Sequence, residues 1–401
     1  MKLTDCETFV VGNPPPRKGG RYFIIVKLTT NDGITGIGEV YAATFGPHVL
    51  ADMVRDVFAR HFEGADPHDI ERLWRLTYGS GYTARPDASL VGVLSGLEIA
   101  CWDIIGKAAG QPVYNLLGGR CRERIRSYTY LYPADGDVYP DPEQPNVYND
   151  QDIAAERALH YLSLGFTALK FDPAGPYTVF DPHQPTLEDL ERSEAFCKAL
   201  REAVGTRADL LFGTHGQFTT SGAKRMARRL EPYEPLWFEE PVAAEMPEQM
   251  AEVARSTSVP IATGERLVTK YEFARVLALG AASILQPALG RVGGILEAKK
   301  IAAMAEAHYA QMAPHLYCGP VEGAANIQLA ASIPNFLILE SIERFDGFHG
   351  QIVKGIHWEE GYVIPPTEPG LGITFDEDLA RAHPYEGNTL HLEMDPGEAA
   401  P

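Results

Sequence analysis

The stretch SILQPALGRVGGILEAKKIAAMAEAHYAQMAPH, residues 283–315, contains two short apolar runs separated by one helical segment. The runs at 283–288 and 310–315 have the length of buried strands, and residues 295–309 repeat apolar side chains at helical spacing. A strand, a helix and a second strand in this order form a βαβ unit, whose two strands lie parallel. The stretch therefore predicts one repeat of an α/β fold built on a parallel sheet.

The same alternation continues along most of the chain. Short apolar runs occur at residues 127–132, 166–171, 208–213, 236–240, 261–265, 283–288, 310–315 and 336–341. Helical segments lie between most of them, and eight such repeats over roughly 200 residues are typical of a (β/α)8 barrel. An open doubly wound sheet would share the alternation, but eight equal repeats favour the closed barrel.

The chain on either side of this barrel predicts a second domain. Residues 1–124 begin with strand-like runs joined by the turn NDG (31–33), and the pattern becomes helical over 50–119. The last part of the chain is rich in glycine, proline and charge. We therefore expect an α+β domain over 1–124, a modified (β/α)8 TIM-type barrel over 125–345, and a segment over 346–401 that returns to the first domain.

Composition limits the classes of partner. The 401 residues hold 35 Lys and Arg against 54 Asp and Glu, a formal net charge of −19. Such an acidic chain gains little from phosphate backbones, so we expect neither nucleic acid nor an anionic membrane as a partner. No run approaches the roughly 18 apolar residues of a membrane span, and the N-terminus lacks the apolar core of a signal peptide. The five scattered cysteines include no C-x-x-C pair and fit reduced thiols, so we expect a cytoplasmic protein, and by its size class a homo-oligomer.

The ends of the predicted strands hold the candidate functional residues. In a (β/α)8 barrel the carboxyl ends of the strands meet at one face, where catalytic side chains collect. The residues at these ends are Lys170, Asp172, Gly213, His215, Glu239, Glu240, Glu265, Ala288, His315 and Glu340. Because strand side chains alternate, Lys170 and Asp172 point to the same side, as do Gly213 and His215. We expect the site among these residues.

Glu239 and Glu265 predict a metal site. They end consecutive strands, in WFEEP and ATGER, and would bring two carboxylates together. Like charges at short distance are costly unless a cation neutralises them, and oxygen ligands favour a hard cation such as Mg²⁺. A single glutamate at a strand end is otherwise expected to form a salt bridge to the next helix, and this is our expectation for Glu240.

Lys170 and His315 are the candidate proton-transfer groups. A lysine at a partly buried strand end loses solvation, which lowers its pKa toward the range of a general base. The alternative for Lys170 is a structural ion pair with a nearby glutamate. His315 ends the seventh strand, across the barrel mouth from Lys170, where it could act as a base or an acid.

Several motifs together resemble one known family. The matching stretches are GITGIGEVY (33–41), SGLEIACWDIIGKAAGQPVYNLLGG (95–119), ALKFDP (168–173), LWFEEPV (236–242), PIATGER (260–266), VGGILEAKKIAAMAEAHY (292–309), APH (313–315) and PGLGI (369–373). In this order, and over almost the whole chain, they are similar to the mandelate racemase-like branch of the enolase superfamily, which contains acid-sugar dehydratases and racemases. The resemblance implies an α+β capping domain over a modified barrel, a bound Mg²⁺, and abstraction of the proton α to a carboxylate to give a metal-stabilised enediolate.

The resemblance also implies roles for individual residues. Glu239 and Glu265 match the second and third metal ligands of the family. Lys170 matches the base on the second strand, His315 the histidine on the seventh, and Glu340 the acidic electrophilic residue on the eighth. These matches agree with the site that the strand ends indicate.

Two positions depart from the family pattern. Gly213 stands where the family has its first metal ligand, an aspartate on the third strand, and Ala288 stands where an aspartate on the sixth strand often pairs with the histidine. Without the first, Mg²⁺ loses a ligand and a negative charge unless His215, Asp172 or the substrate supplies one. Without the second, His315 loses the partner that would orient it and raise its basicity.

Four further groups are assigned at the mouth. His215 matches the histidine with which galactonate- and mannonate-type dehydratases protonate the leaving hydroxyl, and we assign it that role, with metal ligation as the alternative. Some mannonate-type members take their base from a tyrosine in the loop after the second strand, which makes Tyr177 an alternative base here. The basic loop 10–23 could close over the mouth and present Arg17, Lys18 or, as the residue assigned, Arg21 to a substrate carboxylate, or could be a disordered surface loop. Asp172 is assigned to substrate binding.

The sequence therefore predicts a sugar-acid dehydratase, a hydro-lyase of carbohydrate catabolism that yields a 2-keto-3-deoxy acid. Lys170, or else Tyr177, would take the α-proton, and His215 would protonate the departing hydroxyl. One alternative is a racemase, epimerase or cycloisomerase of a carboxylate substrate, with proton transfer between Lys170 and His315. The other is a degenerate member without catalytic activity, against which the retained strand-end residues argue.

Overall fold

The N-terminal part of the chain forms an α+β domain. The computed structural model describes residues 1–82, 84–134 and 136–394. An antiparallel sheet contains β1 (Leu3–Gly12), β2 (Tyr22–Thr30) and β3 (Thr35–Val40), paired in that order. It is followed by α1 (Pro47–Val57), a π-helical turn (Phe58–Phe62), α2 (Ile70–Gly79), α3 (Ala88–Ala109) and α4 (Val113–Leu116).

Helix α3 is the central helix of this domain. Asp87 caps its first turn by accepting a hydrogen bond from the backbone N–H of Ser89, and Gly110, at φ 63°, ends it in the left-handed conformation. The helix packs closely on the sheet, since a Cβ on Gly38 would overlap the carbonyl oxygen of Gly96. Among the helices of the described residues, α3 alone has the length and hydropathy of a membrane span, but 83% of that window is buried inside the protein.

The next strands close into a barrel. They are β4 (Ile125–Tyr130), β5 (Ala168–Phe171), β6 (Asp209–Gly213), β7 (Trp237–Glu239), β8 (Ile261–Thr263), β9 (Ile284–Leu285), β10 (Gln311–Met312) and β11 (Leu339–Glu340). Strands β4 to β10 pair in parallel in chain order, and β11 pairs in parallel with β4, which brings the last strand beside the first. A bridge between Met312 and Phe336 joins the chain before β11 to β10. The predicted (β/α)8 barrel is confirmed.

Helices surround this barrel on the outside. They are α5 (Gln151–Ser163), α6 (Leu187–Val204), α7 (Thr220–Leu230) with a 3₁₀ turn (Glu231–Tyr233), α8 (Pro247–Ala254), α9 (Thr269–Leu279), α10 (Leu289–Val292), α11 (Ile295–Ala307) and α12 (Pro320–Ser332). The barrel interior is filled by a cluster of buried side chains from successive strands: Tyr128, Ala168, Leu211, Trp237, Ala262, Ile284, Ala313 and Ile338. This packed layer fills the barrel below the mouth. The side chains that can meet a substrate are therefore those nearer the carboxyl end of each strand.

The C-terminal segment returns to the N-terminal domain. It contains α13 (Gly347–Ile352), β12 (Val353–Lys354), β13 (His357–Glu359), β14 (Tyr362–Ile364), β15 (Thr374–Phe375) and α14 (Glu377–Ala382). β14 pairs antiparallel with β4 and β13 with β14, while β12 pairs with β15. Beyond α14 the chain meets β1, where the backbone N–H of Gly12 donates to the carbonyl oxygen of His383 (2.7 Å).

Two buried carboxylates of the N-terminal domain fix it to the barrel. Glu39, in β3, accepts hydrogen bonds from the backbone N–H groups of Gly319 (2.6 Å) and Glu322 (2.9 Å), at the start of α12. Glu98, in α3, accepts from the backbone N–H of Ile295 (2.7 Å), at the start of α11. The first N–H groups of a helix have no partner inside the helix, so these carboxylates satisfy them and set the N-terminal domain against the barrel.

Candidate active site

Lys170 lies in β5 with its side chain buried at the barrel mouth. Its Nζ is 2.6 Å from Glu239 Oε1 and 3.8 Å from Glu340 Oε1. Burial lowers the pKa of Lys170, but the two carboxylates outweigh burial and hold the pKa well above its usual value. The expectation of a pKa lowered toward the range of a general base is therefore wrong, and the ion pair given as its alternative is what the structure contains.

Glu239, at the end of β7, accepts from three donors. Lys170 Nζ contacts its Oε1, while Trp237 Nε1 (2.9 Å) and Gln286 Nε2 (2.8 Å) donate to its Oε2. Trp237 lies two residues earlier on β7 and therefore points to the same side. Both oxygens of this predicted metal ligand are thus engaged by side chains of the protein.

Glu265 follows β8 and lies between two histidines. Its Oε2 is 3.2 Å from His315 Nε2, and its Oε1 is 3.8 Å from His215 Nε2. Burial raises the pKa of Glu265, but the two histidines and Lys170 outweigh it and lower the pKa strongly. Glu265 is therefore ionised at neutral pH, with the Nε2 atom of each ring facing it.

His215 lies in a sharp turn after β6. Its φ is 50°, and the preceding residue, Thr214, fixes the turn through a hydroxyl group 2.9 Å from two carbonyl oxygens at the end of β7. His215 Nδ1 is 3.1 Å from Asp172 Oδ2. Burial lowers the pKa of His215, but Asp172 and Glu265 outweigh it and raise the pKa to about 9. A ring that keeps its proton suits a proton donor and not a metal ligand.

His315 has the opposite protonation state. Its ring stacks on that of Tyr41, from the N-terminal domain, with centroids 5.7 Å apart. Ala288, which stands where the family has an aspartate partner, is part of a buried apolar cluster that includes Tyr41. Burial lowers the pKa of His315 to about 3 despite the nearby Glu265. The ring is therefore neutral, and one of its two nitrogen atoms carries a free lone pair.

Glu340, at the end of β11, lies between Lys170 and His315. Its Oε2 accepts from the backbone N–H of Leu316 (2.9 Å) and is 3.9 Å from His315 Nε2. Burial raises the pKa of Glu340 to about 7, against the opposing effect of Lys170. A carboxyl group that is partly protonated near neutral pH can donate a hydrogen bond to a substrate oxygen, as an electrophilic role requires.

Tyr177 and Arg21, two further predicted site residues, have different surroundings. The ring of Tyr177 lies 4.6 Å from that of His215, and burial raises the pKa of Tyr177 well above its usual value, so it is a neutral phenol. Arg21 is not brought to the cluster. Its guanidinium packs on the ring of Tyr139 (4.2 Å) and donates to the carbonyl oxygen of Leu390 (3.3 Å), so it joins the N-terminal loop to the C-terminal segment.

Other expectations concern side chains around the mouth. Glu240 forms a salt bridge, as expected, but with Arg266 in the loop after β8 (2.7 Å) and not with a helix residue. The N-terminal loop is held to the barrel part of the chain by two ion pairs, Arg17 with Asp137 (2.9 Å) and Lys18 with Glu343 (2.8 Å). The predicted alternative of a disordered surface loop does not fit these contacts.

The sequence reasoning missed three residues of the site. Trp237 and Gln286 hold Glu239, and Arg291 Nη1 donates to the carbonyl oxygen of Glu265 (2.8 Å). Strand alternation could have found the first two, because Trp237 precedes Glu239 by two residues and Gln286 lies at the end of β9. Arg291 comes after the strand end, in a short helix, and has no comparable signal.

The side chains at the mouth are of the type that binds Mg²⁺, but they are not arranged around a common point. In the described part of the chain, no group of three or more His, Cys, Asp or Glu side chains is arranged to hold a metal ion, and Lys170 Nζ occupies one oxygen of Glu239. Asp172 Oδ1, however, is buried beside Gly213 and has no hydrogen-bond partner among the described residues. With Glu239 and Glu265 it makes a third carboxylate, and carboxylates are the ligands that Mg²⁺ takes.

Comparison with protein families matches both domains. Residues 153–379 match the enolase C-terminal domain-like model. Residues 17–118 match the N-terminal domain of the mandelate racemase/muconate lactonizing enzyme family. The two matches lie in the order and at the positions of the barrel and the N-terminal domain.

Individual relatives agree with these matches. The chain is 36% identical over 388 residues to a D-gluconate/D-galactonate dehydratase of Picrophilus torridus, which covers 96% of this chain and 95% of that one. It is 33% identical over 398 residues to a D-xylonate dehydratase of Haloferax volcanii, over 98% and 91% of the two chains. A crystal structure of a mandelate racemase/muconate lactonizing enzyme from Sulfitobacter sp. is 57% identical, with a TM-score of 0.94 and 99% of each chain covered.

Proposed function

Because the chain belongs to the mandelate racemase/muconate lactonizing enzyme family of the enolase superfamily, we propose that it dehydrates an aldonic acid to a 2-keto-3-deoxy acid. The family and the dehydratase relatives make the protein a hydro-lyase. The proposed substrate class follows the names of those relatives, which are dehydratases of gluconate, galactonate and xylonate.

The observation that carries this proposal is the pair of histidines on either side of Glu265. Elimination of water needs a base at the α-carbon and an acid at the β-hydroxyl of one substrate. His315 is neutral and His215 is protonated, and the Nε2 atoms of both rings face the same carboxylate. Environments that separate the pKa values of two groups in this way are typical of an acid–base pair.

The two histidines divide the reaction into two proton transfers. His315 Nε2 takes the proton from the α-carbon, and the electron pair of the broken C–H bond moves into the carboxylate to form an enediolate. His215 Nε2 then gives its proton to the β-hydroxyl group, whose C–O bond breaks as the enediolate collapses. Water leaves, and the enol product tautomerises to the 2-keto-3-deoxy acid, so the sum of the steps is the loss of one water.

Lys170 and Glu340 act on the charge of the substrate carboxylate in this proposal. The Lys170 ammonium group is held by Glu239 and Glu340, so it offers positive charge and not a free base. Glu340 donates a hydrogen bond from its protonated form as negative charge develops on the enediolate. In this proposal Lys170 is an electrostatic stabiliser and not the base. Tyr177 is a side chain that lines the site beside His215 and not a base.

The proposed cofactor is Mg²⁺. Dehydratases of the enolase superfamily generally depend on this ion. Glu239 and Glu265 would hold it after Lys170 moves away from Glu239. A bound Mg²⁺ supplies positive charge that stabilises the enediolate.

Two variants separate the two proton transfers. His315→Asn should lose both keto-acid formation and α-proton exchange with D₂O, by roughly 10²- to 10⁴-fold. His215→Asn should lose keto-acid formation to a similar extent but keep α-proton exchange, because only the second transfer needs His215. The measurement is keto-acid formation from a panel of five- and six-carbon aldonic acids, with deuterium at the α-carbon followed by NMR.

Three results would contradict the proposal. Keto-acid formation at the wild-type rate by His215→Asn would remove the donor role. Deuterium exchange at the α-carbon without keto acid, in the wild-type protein with every acid of the panel, would favour the racemase or epimerase alternative. A wild-type protein that exchanges no α-proton at all would favour the degenerate member.

A further inference from the structure

A side chain from β5 occupies the space beside Gly213. A Cβ on Gly213 would fall 3.2 Å from Asp172 Cγ, and closer to Asp172 Oδ1 than a non-bonded contact allows. The carboxylate of Asp172 therefore lies where a side chain at position 213 would begin. A larger residue at this position would displace that carboxylate.

The strand register places this carboxylate on the same face of the strands as Glu239. Phe171 pairs with Phe212 across β5 and β6, and Gly213 pairs with Glu239 across β6 and β7. Paired residues of parallel strands point their side chains to the same face, so a group beside Gly213 lies next to the side chain of Glu239. Asp172, one residue beyond the end of β5, reaches from the second strand a position that normally belongs to the third.

One oxygen of Asp172 is engaged and the other is not. Oδ2 lies 3.1 Å from His215 Nδ1, and Oδ1 is buried without a hydrogen-bond partner among the described residues. The side chain is only 9% exposed. A buried carboxylate oxygen without a partner is costly, and a cation beside it would remove that cost.

We propose that Asp172 is the third carboxylate ligand of the metal site, together with Glu239 and Glu265, and that Gly213 is the small residue that admits it. The inference rests on the proposed function for the identity of the cation, Mg²⁺. It replaces the assignment of Asp172 to substrate binding. Because Oδ2 stays on His215, the same residue also orients the proton donor.

Metal binding without substrate tests this assignment directly. Titration of the full-length protein with Mn²⁺, followed by the EPR signal of the free ion, gives a Kd that does not depend on turnover. Asp172→Ala and Asp172→Asn should each raise this Kd roughly tenfold or more, as should Glu265→Gln. The matched control is Asp209→Asn, at the opposite end of β6, whose carboxylate pairs with Arg126 (2.7 Å) and whose loss should leave the Kd unchanged.

A transplanted carboxylate separates ligand loss from misfolding. The double variant Asp172→Ala/Gly213→Asp returns a carboxylate to the same space from β6, and its Mn²⁺ Kd should recover to within a few-fold of wild type. The backbone of Gly213 lies outside the left-handed region, so it accepts an aspartate without strain. Circular dichroism checks that each variant is folded.

The outcomes are distinguishable from failure of the proposed function. Asp172 variants that bind Mn²⁺ as wild type does, a folded double variant that does not recover binding, or a wild-type protein that binds no Mn²⁺ would each overturn the ligand assignment. The proposed function fails by a different result, which is the absence of keto acid from every sugar acid in the presence of metal.

Discussion

At the level of single residues, the surroundings of the two histidines decide which of them carries a proton. Asp172 and Glu265 face the two nitrogen atoms of His215, and their negative charge outweighs the cost of burial. His315 is more deeply buried, and although Glu265 favours its protonation, burial and the positive charges of Lys170 and Arg291 oppose it. The same side chain type therefore supplies an acid on β6 and a base after β10.

The pH dependence of dehydration should reflect the charge on His215. Since His215 must be protonated and the carboxylates around it raise its pKa, kcat/KM should be retained through neutral pH and should fall at alkaline pH as His215 loses its proton. His315, whose pKa is lowered to about 3, should not change its protonation state near neutral pH. In His215→Asn, the rate of α-proton exchange should not fall at alkaline pH, so its pH profile should lack the alkaline limb of the wild-type kcat/KM profile. An alkaline limb that persists in this variant would belong to another group.

The direction of the pKa shift of Lys170 could not be predicted from single residues. Its place at a strand end and its burial were both readable from the sequence, and burial alone would lower its pKa. The sign of the shift depends on the distance to Glu239, 2.6 Å, and to Glu340, 3.8 Å. These residues lie 69 and 170 positions away in the chain, and no local pattern fixes such distances.

At the level of elements, the loop between β1 and β2 connects the N-terminal domain to the barrel mouth. Asn13 shapes the loop by donating from Nδ2 to the carbonyl oxygens of Lys18 (2.9 Å) and Gly20 (2.8 Å). Lys18 Nζ then pairs with Glu343 Oε1, at 2.8 Å, just beyond β11. The ion pair ties the loop to the chain that follows β11, at the rim of the mouth, where a fixed loop can help to retain substrate.

Loss of this ion pair should weaken substrate retention more than chemistry. Lys18→Met should raise KM about two- to fivefold at low ionic strength with little change in kcat, because a partly exposed pair contributes modestly. In the wild type, KM should rise with salt toward the value of the variant, since salt screens the pair. Steady-state kinetics at low and high salt measure both effects. Lys224→Met, which removes an ion pair with Glu252 (2.9 Å) between α7 and α8, is the control and should change neither constant.

A contrary result is equally specific for the loop. A fall in kcat at unchanged KM in Lys18→Met would place Lys18 in the chemical step. A salt dependence of KM that is the same in the variant and the wild type would assign that dependence to other charges.

Strands and helices were predictable to different depths. The barrel strands followed from apolar runs of regular spacing, and their ends located Lys170, Glu239 and Glu265 at one mouth because parallel strands share an edge. The resemblance to the family also identified Gly213 as the position at which a carboxylate ligand is missing. The Asp172 carboxylate lies beside Gly213, in the space of that missing side chain. This placement depends on the direction of one side chain in three dimensions, which the sequence pattern does not contain.

At the level of the whole molecule, the contact between the N-terminal domain and the barrel contains carboxyl groups that favour the protonated form. The Cys318 Sγ atom lies 3.1 Å from Glu39 Oε1 and 2.8 Å from Glu322 Oε2 in a buried cluster. Burial raises the pKa of both Glu39 and Glu322 from 4.5 to about 7. This meeting of two carboxyl groups could not be predicted from the sequence, because Glu39 and Glu322 lie in different domains and meet only when the domains pack.

These shifts set the direction in which stability changes with pH. Between about pH 4.5 and about pH 7 the folded protein binds more protons at Glu39 and Glu322 than the unfolded chain does. The free energy of unfolding contributed by these groups is therefore fully present below about pH 4.5 and is lost as the pH rises through about 7. The net charge of −19 acts in the same direction, because a higher pH adds further negative charge.

Glu322→Gln should therefore stabilise the protein only where the wild type must bury a charge. At about pH 5.5 Glu322 is largely protonated, and a glutamine of the same shape should leave Tm nearly unchanged. At about pH 8 the wild type holds two buried carboxylates near each other, and the variant should raise Tm by a few degrees, because it removes one charge and its repulsion of Glu39. Differential scanning calorimetry at the two pH values measures this difference. The same shift of Tm at both pH values would show that packing, and not the titration of Glu322, determines the effect.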